Sequence, residues 1–316
     1  MRPMHECPTI HAVPHESSVP REAAQLAAHL APTLDLLRTV AAEGQLTRAA
    51  ERLGQPQPTV SRALARLAEH LGTPVVAKQG RGVVLTRAGA LLTEAAEEAM
   101  HELENRCRAV VEELDPQRGQ VVLGFQHTMG RALIPQLLSE FREHHPSVRF
   151  GLAQGSRDDM LARMRTGRVD LCLVSPVPSG AEFEAAEVTR EELVAVVFAG
   201  HRLAGRDDIR LAELADDDFV GLRPGYGLRR IVTDLAEAAG FTPRFAWEGE
   251  EVDTARGLVA AGLGVTLLPK ALSGAAPGTS EISLHPAAHR TIGVVWPARR
   301  PLPPAVRAFR DHVAGR

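Results

Sequence analysis

The chain has 316 residues, 44% apolar and 24% charged, which allows more than one buried core and excludes a wholly disordered protein. Its 36 basic residues against 39 acidic ones give a net charge of −3, so any surface for a polyanion must be local. Cys7, Cys107 and Cys172 stand far apart and in no CxxC spacing, and no apolar run matches a membrane span or a signal peptide; a reducing, cytoplasmic setting away from membranes is expected.

Residues 1–29, with Pro3, Pro8, Pro14 and Pro20, read as a disordered extension. The histidines there, His5, His11 and His15, impose no coordination geometry, so neither a metal nor another cofactor is expected. From Leu34 the apolar residues Leu34, Leu37, Val40 and Ala41 recur at helical spacing, and Gly44 ends that helix. A second helix follows, with Thr47 as a candidate cap and Ala49, Ala50 and Leu53 as a small-residue inner face. After the GQPQ turn, Pro58 suits the first turn of a third helix that runs through Val60, Leu64, Leu67 and Leu71 to Gly72. Two short strands around Gly80-Arg81-Gly82 complete a winged helix-turn-helix over residues 30–87, with Arg81 at the tip of the wing. From Pro32 to Thr93 there are eight Lys or Arg against four Asp or Glu, about +4, while the remainder is about −7.

Residues 88–116 read as a long linker or dimerisation helix, with a stripe of Leu92, Ala96, Ala99, Leu103, Cys107, Val110 and Leu114; the alternative for that stripe is packing against its own domain. Asp115, Pro116 and Gly119 then break the helix. Beyond them, strands at 121–125, 148–153 and 169–174 alternate with helices at 129–144 and 158–166. A second set comprises strands at 193–198, 219–222, near Phe245 and at 265–268, with helices at 228–239 and 253–261. A strand at 291–296 and a helix at 304–313 return to the first set. The pattern predicts parallel sheet with helices on both faces, in two α/β lobes joined by crossing strands: about 117–190 with 290–316, and about 191–289.

On the third helix Gln57, Thr59, Ser61, Arg62 and Arg66 lie away from the core line, and they are the residue types that read base edges and phosphates. The stretch LRTVAAEGQLTRAAERLGQPQPTVSRALARLAEHLGTPVVAKQGRGVVLTRAGALL, followed by RALIPQLLSEFREHHPSVRF, RTGRVDLCLV and LVAAGLGVTLLP, resembles the LysR-type transcriptional regulators. That resemblance implies Thr47 on a phosphate, Gln57, Thr59 and Arg62 toward bases, Ser61 and Arg66 near the backbone, and Arg81 in the wing. Pro56 departs from the family's small polar residue, so one phosphate contact is missing there. It also implies a two-lobed α/β sensor of the type II periplasmic-binding-protein kind, a small-molecule effector, and a homodimer or homotetramer on a pseudo-palindromic double-stranded operator. Contact with RNA polymerase is left open.

Ligands of such lobes lie beyond the C-terminal strand ends, where helix N-termini offer free N–H groups. Gln126, His127 and Thr128 follow the first sensor strand, Ser175 follows the 169–174 strand, and Arg223 and Tyr226 lie in RPGYG before a helix; these six form the expected effector set. Thr128 could equally cap a helix, and Gly225 and Gly227 could serve either turn chemistry or close backbone approach. Cys172, inside an apolar strand, reads as a small hydrophobe rather than a redox sensor. An alternative class is an enzyme or solute-binding protein of this fold with a non-functional helix-turn-helix, but no Ser-His-Asp set, metal spacing or phosphate loop supports catalysis.

Overall fold

The computed structural model describes residues 33–80, 82–114, 119–271 and 274–315; the predicted extension at 1–29 and the wing residue Arg81 lie outside the described residues. The chain divides after Met100 into two compact units.

In the first unit, α1 (Leu34–Glu43) buries Leu36, Leu37 and Val40 and stops at Gly44, whose φ of 62° lies in the left-handed region. Helix α2 (Leu46–Arg52) presents buried Ala49 and Ala50 to its neighbours, and α3 (Gln57–Leu71) closes the core with Val60, Leu64 and Leu67. Strands β1 (Val76–Gln79) and β2 (Gly82–Leu85) pair antiparallel, from Val76 opposite Leu85 to Gln79 opposite Gly82. Thr86 then caps α4 (Arg87–Leu114), its hydroxyl accepting the Gly89 N–H at 3.1 Å and donating to Pro74 O at 2.7 Å.

The apolar stripe of α4 splits in two. Leu92 packs against the helix-turn-helix core and Ala96 is buried, as packing against its own domain requires. Leu103, Cys107 and Val110 are exposed instead. At roughly 100° per residue, the opposite side of this last stretch carries Asn105, Arg108 and Glu112. Those polar side chains bind the sensor: Asn105 donates to Gly167 O at 3.2 Å, Arg108 forms a two-pronged ion pair with Asp170, and Glu112 accepts the N–H groups of Gln120 and Ala305 at 3.1 and 3.2 Å.

In the second unit, β3 (Gln120–Gln126) pairs in parallel with β4 (Arg149–Gly155) and β5 (Leu171–Val174). Helices α5 (Leu133–His144) and α6 (Arg157–Arg165) connect them, and α9 (Pro304–Ala314) covers the same sheet with Val306 and Phe309. Two long strands, β6 (Phe183–Phe198) and β11 (Thr279–Pro297), run antiparallel along each other and join this core to a second one. The second core gathers β7 (Asp208–Ile209), β8 (Asp218–Leu222), α7 (Gly227–Ala238), β9 (Arg244–Gly249), α8 (Val252–Ala260) and β10 (Thr266–Pro269). The main sheet runs β10-β6-β11-β5-β3-β4 with β7 beside β11, so it is mixed where the alternating pattern predicted a parallel one. Its crossing strands are the reason, since β11 lies antiparallel to β5 and β6, and β10 antiparallel to β6.

Candidate functional site

Helix α3 offers the outward face of the first unit. Gln57, Arg62 and Arg66 are exposed, while Thr59 and Ser61 are half-buried. Arg62 lies back along the helix, its Nε donating to Pro58 O at 3.1 Å. Among the described residues Arg48, Arg62, Arg66, Lys78 and Arg87 have no acidic partner, whereas Arg38 and Arg52 are paired with Asp35 and Glu43. Thr47 is exposed in the first turn of α2, and it does not cap that helix as its position suggested: Gln45 occupies the cap without a side-chain bond. The helix starts two residues too early for Thr47 to stand at the cap, where its hydroxyl could reach the free N–H groups. Pro56 precedes α3 in extended conformation.

In the second unit the strand ends converge. Gln126 is buried and its Oε1 accepts the Ser175 N–H at 2.6 Å. Ser175 is 1% exposed, and its Oγ has no partner among the described residues; the same holds for the buried Nδ1 of His127. His127 stacks on Tyr226 with ring centroids 6.1 Å apart and planes 28° from parallel. Burial, with Glu250 nearby, pushes the Tyr226 hydroxyl above its ordinary pKa. Thr128 sits in a 3-10 turn, His127–Met129, and accepts a hydrogen bond from Arg290 at 2.9 Å, so it does not cap α5. Gly225 and Gly227 divide the two roles considered for them. Gly225, at φ 89°, supplies a turn that side chains rarely adopt; a Cβ on Gly227 would lie 1.7 Å from Ser175 O. Beside this junction a cavity of about 240 Å³ is lined by Arg157, Asp158, Gly225, Tyr226, Arg229 and Arg230. Arg157 is buried and donates to Pro176 O at 2.7 Å. Helix α7 begins at this cavity with no side chain capping its free N–H groups.

The family described as the bacterial regulatory helix-turn-helix protein, lysR family, matches residues 33–90, and that described as the LysR substrate binding domain matches residues 114–316. The chain belongs to the LysR family of transcriptional regulators. It is 36% identical over 282 residues to the HTH-type transcriptional regulator YybE of Bacillus subtilis (strain 168), covering 89% of this chain and 96% of that one. It is 33% identical over 258 residues to the transcriptional dual regulator GltC of the same organism, covering 80% and 86%. Among solved structures, the effector binding domain of QuiR in complex with shikimate superposes with a TM-score of 0.60 at 28% identity, over 63% of this chain and 96% of that one.

This LysR-type regulator therefore carries a DNA-binding helix-turn-helix and an effector-binding domain. In the latter the structure brings Gln126, His127, Thr128, Ser175 and Tyr226 together, but not Arg223, whose exposed guanidinium pairs with Glu250. Sequence reasoning missed Arg157 and Arg290. Arg157 had a signal, because it follows strand β4 as Gln126 ends β3; Arg290 had none, because an arginine flanking an apolar run reads as the edge of a strand. Among the described residues no group of His, Cys, Asp or Glu is placed to hold a metal, and no helix is long and apolar enough to cross a membrane.

Proposed function

We propose that this protein is a cytoplasmic, ligand-gated regulator: paired copies set two α3 helices on a pseudo-palindromic duplex operator, and a small molecule in the sensor cleft changes how they sit. In this reading Gln57, Thr59 and Arg62 face bases, Thr47, Ser61 and Arg66 face the backbone, and Arg81 reaches from the wing. The effector set is Gln126, His127, Thr128, Ser175 and Tyr226, with Arg157 added and Arg223 left at the rim.

The observation that carries the ligand half of this reading is the buried, unpartnered Ser175 Oγ, set where strand ends of both cores meet an uncapped helix N-terminus. A buried hydroxyl without a partner is unfavourable, and a ligand in the cleft supplies one. The likeness to an effector domain bound to shikimate supports a small polar ligand. An enzyme or solute-binding protein with an idle helix-turn-helix has no observation in its favour, and the relatives above are regulators.

Gating needs a ligand that binds two states of the domain unequally. Operator fragments selected with the purified protein, then footprinted across a metabolite series, test this. A change in protected contacts with one metabolite is the expected result; contacts identical throughout would remove gating and leave a constitutive DNA-binding protein.

A further inference from the structure

The crossing strands carry a buried cation whose hydrogen bonding is incomplete. Arg290 on β11 is 2% exposed and stands opposite Glu191 on β6, in the short stretch between two breaks in strand register, Ser283/Ala288 and Ile292/Gly293. Its Nε and Nη2 both donate to Glu191 Oε2, at 2.8 and 2.6 Å, and Nη2 also donates to Thr128 Oγ1. A guanidinium has five N–H groups, and among the described residues no protein acceptor meets the two on Nη1, which is not among the fully buried orphan atoms and so keeps an opening to solvent or a ligand. Glu191 is itself one-third exposed, so water weakens its hold on the cation. A charge this deep calls for fuller pairing than one screened carboxylate gives.

The surroundings point the same way. Because Thr128 accepts from Arg290, its own O–H is left to donate. Gln126, two residues before Thr128, is bonded to Ser175, whose Oγ is buried without a partner among the described residues, and the twelve-residue helix α7, whose N-terminus no side chain caps, starts against Ser175 at Gly227. The cation, the hydroxyls and the helix end are each groups that favour a negative charge.

We propose that Arg290 is the charge-reading residue of the cleft: an effector of the carboxylate class binds Arg290 and Thr128 and competes with Glu191 for the guanidinium, loosening the tie between the crossing strands. The assignment rests on the cleft being the effector site. It carries a sign that a packing role lacks, because removing the cation and removing its competitor must act in opposite directions.

The full-length protein is titrated with succinate, shikimate and phenylacetate, and with the uncharged amide of each, reading melting temperature and apparent Kd. The wild type responds to at least one acid and not to its amide. Arg290→Met weakens that acid at least tenfold, Arg290→Lys recovers part of the loss, and Glu191→Gln tightens it severalfold. Equal losses in Arg290→Met and Glu191→Gln would assign the pair to packing and overturn the proposal, as would an amide that binds as well as its acid. If an amide alone alters the operator footprint, the effector reading stands and the role of Arg290 falls. Silence toward all six compounds overturns that role too, and footprinting with metabolite fractions then decides the effector reading on its own.

Discussion

Gly227 has no room for a side chain, since any Cβ there would sit 1.7 Å from the Ser175 carbonyl oxygen. The contact is backbone on backbone, so neither side can rotate away. Gly227→Ala should therefore push the start of α7 off Ser175 and destabilise the effector domain by about 1 to 3 kcal/mol. Denaturant unfolding measures this, and a variant as stable as the wild type would mean that the two elements do not meet in solution. Cys172 makes the opposite point about reactivity. Fully buried, with Asp170 and Asp159 adding to the effect, its thiol is held well above the ordinary cysteine pKa and stays protonated at neutral pH. Iodoacetamide at pH 8 should leave Cys172 unmodified in the native protein, by mass spectrometry, and label it once the chain is unfolded; labelling of the native protein would show that strand β5 opens. On α3, Arg62 has no acidic partner among the described residues to release before it meets DNA. Arg62→Ala should lower affinity for the selected operator by about 1 to 3 kcal/mol with little change on random DNA. Equal loss on both would move Arg62 from the bases to the backbone.

At the scale of elements, α4 shows what sequence pattern conveys and what it does not. Its length was legible from helical periodicity, as were the three helices and hairpin before it, because each buries a regular apolar face. The stripe through Leu92 and Val110 reads as one surface in sequence, yet only the structure shows that its first part is buried and its last part exposed. The docking side, Asn105, Arg108 and Glu112, is polar and has the same spacing as any solvated helix face, so nothing marked it. The crossing strands were hidden for a related reason. In β6 only Leu193 to Val197 form a continuous buried run, while Phe183 to Glu192 has no fully buried residue and is half charged, so its apolar signal is weak. Arg290, on β11, stands opposite that poorly marked stretch and pairs with Glu191, a residue 99 positions away. The ion pair of Arg108 with Asp170 now becomes testable as the tie between α4 and the sensor. Asp170 is 6% exposed, and it also accepts the Val122 N–H at 2.7 Å. Asp170→Asn leaves Arg108 without a counter-charge, and breaking so buried a pair costs about 3 kcal/mol. Hydrogen exchange should rise over residues 105–112 and stay unchanged in the helix-turn-helix; unchanged exchange at 105–112 would show that Glu112 alone holds the helix.

For the whole molecule, the modest charge of the DNA-binding unit sets the requirement. About +4 over residues 32–93, with no polar residue at position 56, gives a single copy few phosphate contacts, and non-specific grip scales with their number. Two linked copies bind as one, and the second contact then forms at high effective concentration, a gain of roughly 10² to 10⁴ in affinity. In the proposed pairing, the surface that would link them is the part of α4 that the sensor leaves uncovered: Leu103, Cys107 and Val110, exposed and spaced as a coiled-coil seam opposite the docked polar side. Replacing both Leu103 and Val110 with Glu adds charge only to solvent-facing positions, so each copy should fold as before while pairing fails. Sedimentation should then show a smaller species, operator affinity should fall by more than tenfold beyond the loss from Arg62→Ala, and the slope of affinity against salt should drop to about half as one copy's phosphates are released. A variant that sediments and binds as the wild type would move the pairing surface away from α4 and onto the sensor domains, where the exposed Leu152 and Trp247 are the next apolar residues to substitute.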